Sequence, residues 1–170
     1  MASLVEELLG ILETEKKGYD QLFDLSVSKR EAIVNRDLQK LESTAEKEQL
    51  IADSLKNLEN KRVRVLKDMA VVLGKDGENL TVTQVIDMLK KQPEEQKALT
   101  KARDVLVESA SKMQFMNNQN EVLLKQALEL VEFDLTLFKS LKQAPETANY
   151  DRNAYNTGDL LPSGGFDAKQ

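Results

Sequence analysis

The chain has 170 residues, enough for one domain with its own core and too few for two large ones. It contains no histidine and no cysteine, which removes the commonest general base, the commonest metal ligands and any disulfide. A net charge of −5 with no concentrated basic face argues against nucleic acid, and no apolar run approaches the ~20 residues a membrane-spanning helix needs.

Apolar residues recur every three or four positions over most of the chain, so each segment carries one apolar stripe that must be buried against a partner. The opening Met-Ala-Ser-Leu-Val-Glu-Glu is acidic where a secretory signal is basic, which points to the cytoplasm. A first helix is expected from about Ser3, a suitable N-cap, to about Val34, with Leu4, Leu8, Ile11, Leu22 and Leu25 on its stripe. The register breaks at Asn35-Arg36-Asp37. Asp37 can then cap a second helix beginning at Leu38 and carrying Leu41, Leu55, Leu58, Val65 and Met69. That helix should end at Leu73, because Gly74 suits the left-handed position that closes a helix.

After a loop to Leu80, Thr81 and Gln84 have the spacing of a capping box and open a short helix over Val82 to Leu89. Pro93 suits the first position of a third long helix, with Glu94 and Glu95 complementing its dipole. Leu99, Leu106, Met113, Leu123, Leu130, Leu137 and Leu141 mark its stripe to about Lys142. At about 1.5 Å per residue the first two helices are roughly 50 Å long and the third roughly 75 Å. Side-by-side packing is the way to cover such lengths. The expected fold is all-α: an elongated antiparallel three-helix coiled-coil bundle with one short connecting helix.

Residues 1–143 thus read as the bundle and 144–170 as a flexible tail. Pro145, Gly158, Pro162, Gly164 and Gly165 oppose helix there, while Tyr150, Tyr155, Leu160, Leu161 and Phe166 are spaced anchors of the kind with which disordered segments dock. Folding back onto the bundle is an equal alternative for this tail.

Catalytic chemistry has little foothold. Gly74-Lys75 lacks the remainder of a phosphate-binding loop, and the Glu-x-x-His pairs of a bundle metal site cannot occur without histidine. No enzyme activity, cofactor or metal is expected. More telling are polar residues inside the stripes: Glu48 and Arg62 in the second helix, Asn117 and Asn120 in the third. Such residues either fix register, as a buried asparagine does in coiled coils, or border a groove that a partner completes. If the first hairpin folds about residue 36, Arg62 lies opposite Gly10, with Glu6 and Glu13 one turn to either side.

Leu41, Glu48-Gln49, Leu55, Leu58 and Arg62, then a threonine-led short helix and Asn117-x-x-Asn120-x-x-Leu123-Leu124, together resemble the FlgN family of flagellar export chaperones. Tyr150-Asp151 and Tyr155-Asn156-Thr157-Gly158 are similar to the tail of that family in Gram-positive-type bacteria. The resemblance implies a cytosolic bundle that binds the C-terminal helical segments of hook–filament junction (hook-associated) proteins. It further implies delivery of those clients to the flagellar type III secretion apparatus. An unassembled subunit exposes an apolar helical seam, and a groove that accepts an amphipathic helix would cover it. Asn117, Asn120, Leu124, Phe133, Leu137, Phe138, Leu141, Tyr150 and Tyr155 are the expected client-binding residues, with Met113, Phe115 and Met116 as adaptable neighbours; the alternative is that the last helix's apolar side chains complete the protein's own core, with Met113 and Met116 as ordinary core fillers.

A structural coiled-coil scaffold or a filament-forming secreted subunit is the alternative. Lys- and Glu-rich helices favour the chaperone, and the sequence leaves a homodimer open.

Overall fold

Most described helix ends are closed by local chemistry that satisfies the backbone groups a terminus leaves unpaired, but the first is not: Ser3, the expected N-cap, lies inside a helix that begins at Ala2 with no side-chain cap. The computed structural model describes the backbone of residues 1–158 and the side chains of residues 1–142. Four helices follow in order: α1 (Ala2–Val34), α2 (Leu38–Val72), α3 (Val82–Met88) and α4 (Pro93–Gly158), and no strand occurs among the described residues. The chain divides into two compact units, Met1–Leu124 and Lys125–Gln170.

The turn between α1 and α2 and the end of α2 use the same device. Asp37 N donates to Ala32 O at 2.9 Å and Arg36 N to Ile33 O at 3.2 Å, while Arg36 adopts φ 54°. Lys75 N likewise donates to Ala70 O at 2.8 Å and Gly74 N to Val71 O at 3.1 Å, with Gly74 at φ 70°. Both are Schellman closures, in which the left-handed residue turns the chain out of the helix. Glycine occupies that position without strain at one end, and arginine occupies it at the other. Asp37 then caps α2, its side chain accepting from Lys40 N at 3.0 Å. At α3 the expected capping box is complete: Gln84 N donates to Thr81 Oγ1 at 3.2 Å and Thr81 N to Gln84 Oε1 at 2.8 Å.

Within the first unit α1 and α2 are antiparallel, as the Lys29–Glu48 and Glu15–Arg62 ion pairs require. α4 runs parallel to α1, since Asn120 reaches Ser26 and Gln119 reaches Arg30, giving an up-down-up bundle. The apolar core gathers where α3 sits. Val5, Leu8, Ile11 and Leu12 of α1 pack with Val65, Leu66 and Met69 of α2 and with Leu99 and Leu106 of α4. Leu80, Val85, Ile86 and Leu89 close this cluster from the α3 side, and Gln96 Nε2 ties α4 to Ile86 O at 2.9 Å. Burying one such leucine or valine contributes about 1.5–3 kcal/mol.

Further along the bundle, polar side chains take over. Arg62 Nη1 donates to both Glu15 carboxylate oxygens, at 2.9 and 2.7 Å, and Glu15 is 2 % exposed. Lys29 Nζ meets Glu48 at 3.0 Å, and Asn120, 2 % exposed, donates from Nδ2 to Ser26 O at 2.7 Å. Asp20, which Lys16 meets at 2.6 Å, is held below the usual carboxylate range first by that hydrogen bond, and Ser109 of α4 acts in the same direction.

Two expectations need correction. Arg62 does not lie opposite Gly10, nor between Glu6 and Glu13: its partner is Glu15, and a Cβ at Gly10 would meet nothing within 4 Å. The glycine that α2 does approach is Gly18, where a Cβ would stand 2.7 Å from Leu55 Cδ2. A simple mirror about residue 36 neglects the axial offset of the helices and the reach of an arginine. Glu15 in fact continues the Val5, Leu8, Leu12 stripe at i+3 and i+4 spacing, whereas Gly10 falls outside it. The second correction is the end of α4, which runs to Gly158 and not to about Lys142. Pro145 lies inside this helix at a cost of about 3 kcal/mol, which the helix preference of Ala144, Glu146 and Ala148, a few tenths each, does not offset. Residues 159–170, including the expected anchors Leu160, Leu161 and Phe166, lie outside the described residues.

Two predictions follow from this packing. Burial pushes the Glu15 carboxyl above its ordinary 4.5, the Arg62 charge and hydrogen bonds pull it back only in part, and Glu59 raises it further. Between the unfolded and the folded pKa, the folded state therefore binds more protons, so the contribution of Glu15 is full at low pH and declines as pH rises through the folded value. Arg62→Ala raises that pKa again. Urea melts should show the variant less stable than wild type by about 3 kcal/mol at pH 7, the low end for a broken buried pair. The deficit should shrink at about pH 4, where Glu15 is neutralised by its own proton. An equal deficit at both pH values would contradict the pairing. Second, Arg36→Gly should stabilise the protein and Gly74→Ala should destabilise it, each by about 1 kcal/mol. The sign of each is read from the same melts.

Candidate functional site

The second unit presents a helical segment whose apolar residues are not covered. From Leu128 to Leu141, Leu128, Val131, Phe133, Leu135, Phe138 and Leu141 are each between 46 and 63 % exposed. Leu130 and Leu137 add 45 and 50 %. Isolated exposed leucines are ordinary, but eight large apolar side chains within so short a helix are a contiguous surface of the kind that marks a binding site.

Their spacing divides them into two ridges. Leu128, Val131, Leu135 and Phe138 recur at alternating steps of three and four, while Leu130, Phe133, Leu137 and Leu141 form a second series. At about 100° per residue, the ridge centres lie roughly 135° apart around the helix. Asp134 stands between them, and the remaining arc carries Glu129, Glu132, Thr136, Lys139 and Ser140. Thr136 Oγ1 and Ser140 Oγ bond back to the carbonyls of Glu132 and Thr136, at 2.9 and 3.1 Å, so their hydroxyls are spent within the helix. Lys142 Nζ lies 5.5 Å from the centroid of the Phe138 ring, near enough for a cation–π attraction. The segment therefore offers dispersion and apolar area, with little hydrogen bonding to give.

The expected client-binding residues fall into distinct settings. Phe133, Leu137, Phe138 and Leu141 belong to the two ridges. Leu128, Val131 and Leu135 were not among the expected residues, although the same three-and-four spacing marks them. Leu124 closes the first unit and is half-buried, and Asn117 is exposed there. Asn120 is buried, with its amide nitrogen engaged by Ser26 O and its Oδ1 without a partner. Tyr150 and Tyr155 are on the α4 backbone, but their side chains lie outside the described residues. Phe115 is 64 % exposed, whereas Met113 and Met116 are half-buried. Glu48 and Arg62 spend their charges on Lys29 and Glu15, which is the register-setting role.

Among the described residues, no group of acidic side chains is arranged to hold a metal ion, and no helix is long and apolar enough to cross a membrane.

No curated protein and no solved structure matches the chain. The family model described as FlgN protein matches residues 1–158, which spans the whole of the described backbone. The helical architecture is the one that the sequence resemblance implied, and the chain belongs to the FlgN family of flagellar export chaperones.

Proposed function

We propose that this protein binds the C-terminal helical segments of hook–filament junction proteins in the cytoplasm, holds them back from premature assembly and passes them to the flagellar type III secretion apparatus. The observation that carries the reading is the double apolar ridge from Leu128 to Leu141. A client that must stay unassembled has an apolar helical seam of its own, and covering that seam needs a surface of matching length and chemistry. Two ridges at a wide angle suit a client that lays down more than one helical strand, each against its own side of α4. Tyr150 and Tyr155 of the second unit belong to the same proposed client surface, and Asn117 and Leu124 of the first unit are proposed client contacts in their own right. Asn120 acts through the bundle, by fixing α4 against α1.

The scarcity of hydrogen-bonding groups on the ridges has a functional sense. Apolar contact without directional bonds tolerates several client sequences and releases them readily, and release is what an export chaperone must achieve. No catalytic step belongs to this reading.

The test is a titration with a peptide from the C-terminal helix of a hook–filament junction protein. Phe133→Ala and Phe138→Ala should each weaken binding about tenfold, near 1.4 kcal/mol and in the range of interface hot spots. Both side chains are more than half exposed, so the melting temperature should stay within error of wild type. Unchanged affinity in both variants would place the client elsewhere. A drop in melting temperature would instead assign these rings to the protein's own core.

A further inference from the structure

Within the first unit, the junction of α1 and α4 contains a groove of about 390 Å³ that the client reading does not use. Its floor is apolar and shallow: Leu9 from α1, with Ala98, Ala102 and Val105 from α4. Its rim is basic, with Lys16 and Lys17 on one wall and Lys101 on the other. An adjoining depression of about 430 Å³ shares Lys101 and Val105 and adds Lys97.

The charges on this face are unbalanced. Lys16 meets Asp20 at 2.6 Å, but Lys17, Lys97 and Lys101 make no ion pair among the described residues. Of the two carboxylates that line these hollows, Asp104 is taken by Arg103 at 2.8 Å, which leaves Glu13 to face three unpaired ammonium groups. In a chain of net charge −5 this is a local reversal of sign. Nothing in the packing of the bundle calls for it, since ion pairs between α1 and α2 are formed by other residues.

We propose that this groove docks an acidic amphipathic helix from another protein, a partner separate from the client. The floor and the rim ask for different halves of such a helix. Ala98 and Ala102, at i and i+4, keep the α4 surface low, so that an apolar ridge can settle between the helices as in ridge-and-groove packing. Carboxylates flanking that ridge then meet Lys17 on one side and Lys97 and Lys101 on the other. Charge complementarity of this kind steers encounter and selects the partner. A bilayer surface fits less well, because the apolar lining, Leu9 with two alanines and Val105, is small and sits between two helices.

The experiment uses the full chain and a fluorescein-labelled peptide of roughly three heptads, leucine at the core positions and glutamate elsewhere. Its lysine counterpart and phosphatidylserine vesicles serve as comparators. The proposal expects saturable binding of the acidic peptide by anisotropy, with amide shifts at Leu9 and Ala102. Lys17→Glu/Lys101→Glu should weaken that binding at least about tenfold. Lys90→Glu/Lys91→Glu, which changes the net charge equally at another place, should leave it within about twofold. Should the reversed variant prove poorly folded by circular dichroism, Lys17→Gln/Lys101→Gln supplies the same comparison. Ala98→Gln, which raises the exposed floor without changing charge, should also weaken binding. The proposal is overturned by absence of saturation, by equal loss in the two lysine pairs, by binding of the vesicles alone, or by amide shifts confined to residues beyond Leu124. Loss of client binding at the α4 ridges would leave this result untouched, because the two surfaces lie in different units.

Discussion

The arrangement of α1 against α2 depends on two charges placed where a coiled coil ordinarily has leucine. An apolar stripe alone tolerates sliding by a turn, because one leucine replaces another with small loss. The Glu15–Arg62 pair does not. Glu15 is 2 % exposed, and a shift by one turn would leave its carboxylate buried without a donor. Lys29–Glu48 adds a second fixed point further along the same two helices. Asn120 then does for α4 what these pairs do for α2, through its hydrogen bond to Ser26 O. The polar middle of the bundle is thus the part that specifies, and the apolar end around Leu8, Met69, Val85 and Leu99 is the part that stabilises.

That division clarifies why the second unit is different. Its side chains from Leu128 to Leu141 have the same alternation of threes and fours as the core, yet stand exposed. Among the described residues, no side chain from 128 to 142 forms an ion pair that would fix a register there. A surface of apolar area without directional anchors is adaptable, whereas the polar middle of the first unit admits one alignment. The same kinds of residue therefore serve two ends, according to whether charges are interleaved with them.

The helix boundaries from Val34 to Pro93 were legible because they rest on chemistry within four residues, whereas the start of α1, expected at a Ser3 cap, and the end of α4, expected near Lys142, were not. Asp37, Gly74, Thr81 with Gln84, and Pro93 each act on adjacent backbone groups, and each stands where the spacing predicts. Arg36 was less transparent, since an arginine in the left-handed region is set by the turn and not by its own preference. Pairing across helices was only half legible. That Arg62 and Glu48 lie in the stripe was visible, but their partners depended on an axial offset that no local signal encodes. Asn120 shows the same limit: the spacing placed it on the stripe beside Leu124, and only the fold reveals that its amide is used by Ser26. On the last helix the expected residues already included Phe133, Leu137, Phe138 and Leu141, and Leu128, Val131 and Leu135 complete the two ridges.

Under the proposed function, residues 128–141 receive the client while the first unit keeps a fixed register. Hydrogen exchange of the full chain, free and with a bound hook–filament junction protein, addresses it residue by residue. The account predicts new protection from Leu128 to Leu141, with the amides around Met69 and Leu99 already slow and unchanged by the client. New protection confined to residues 1–124, with none between 128 and 141, would contradict it.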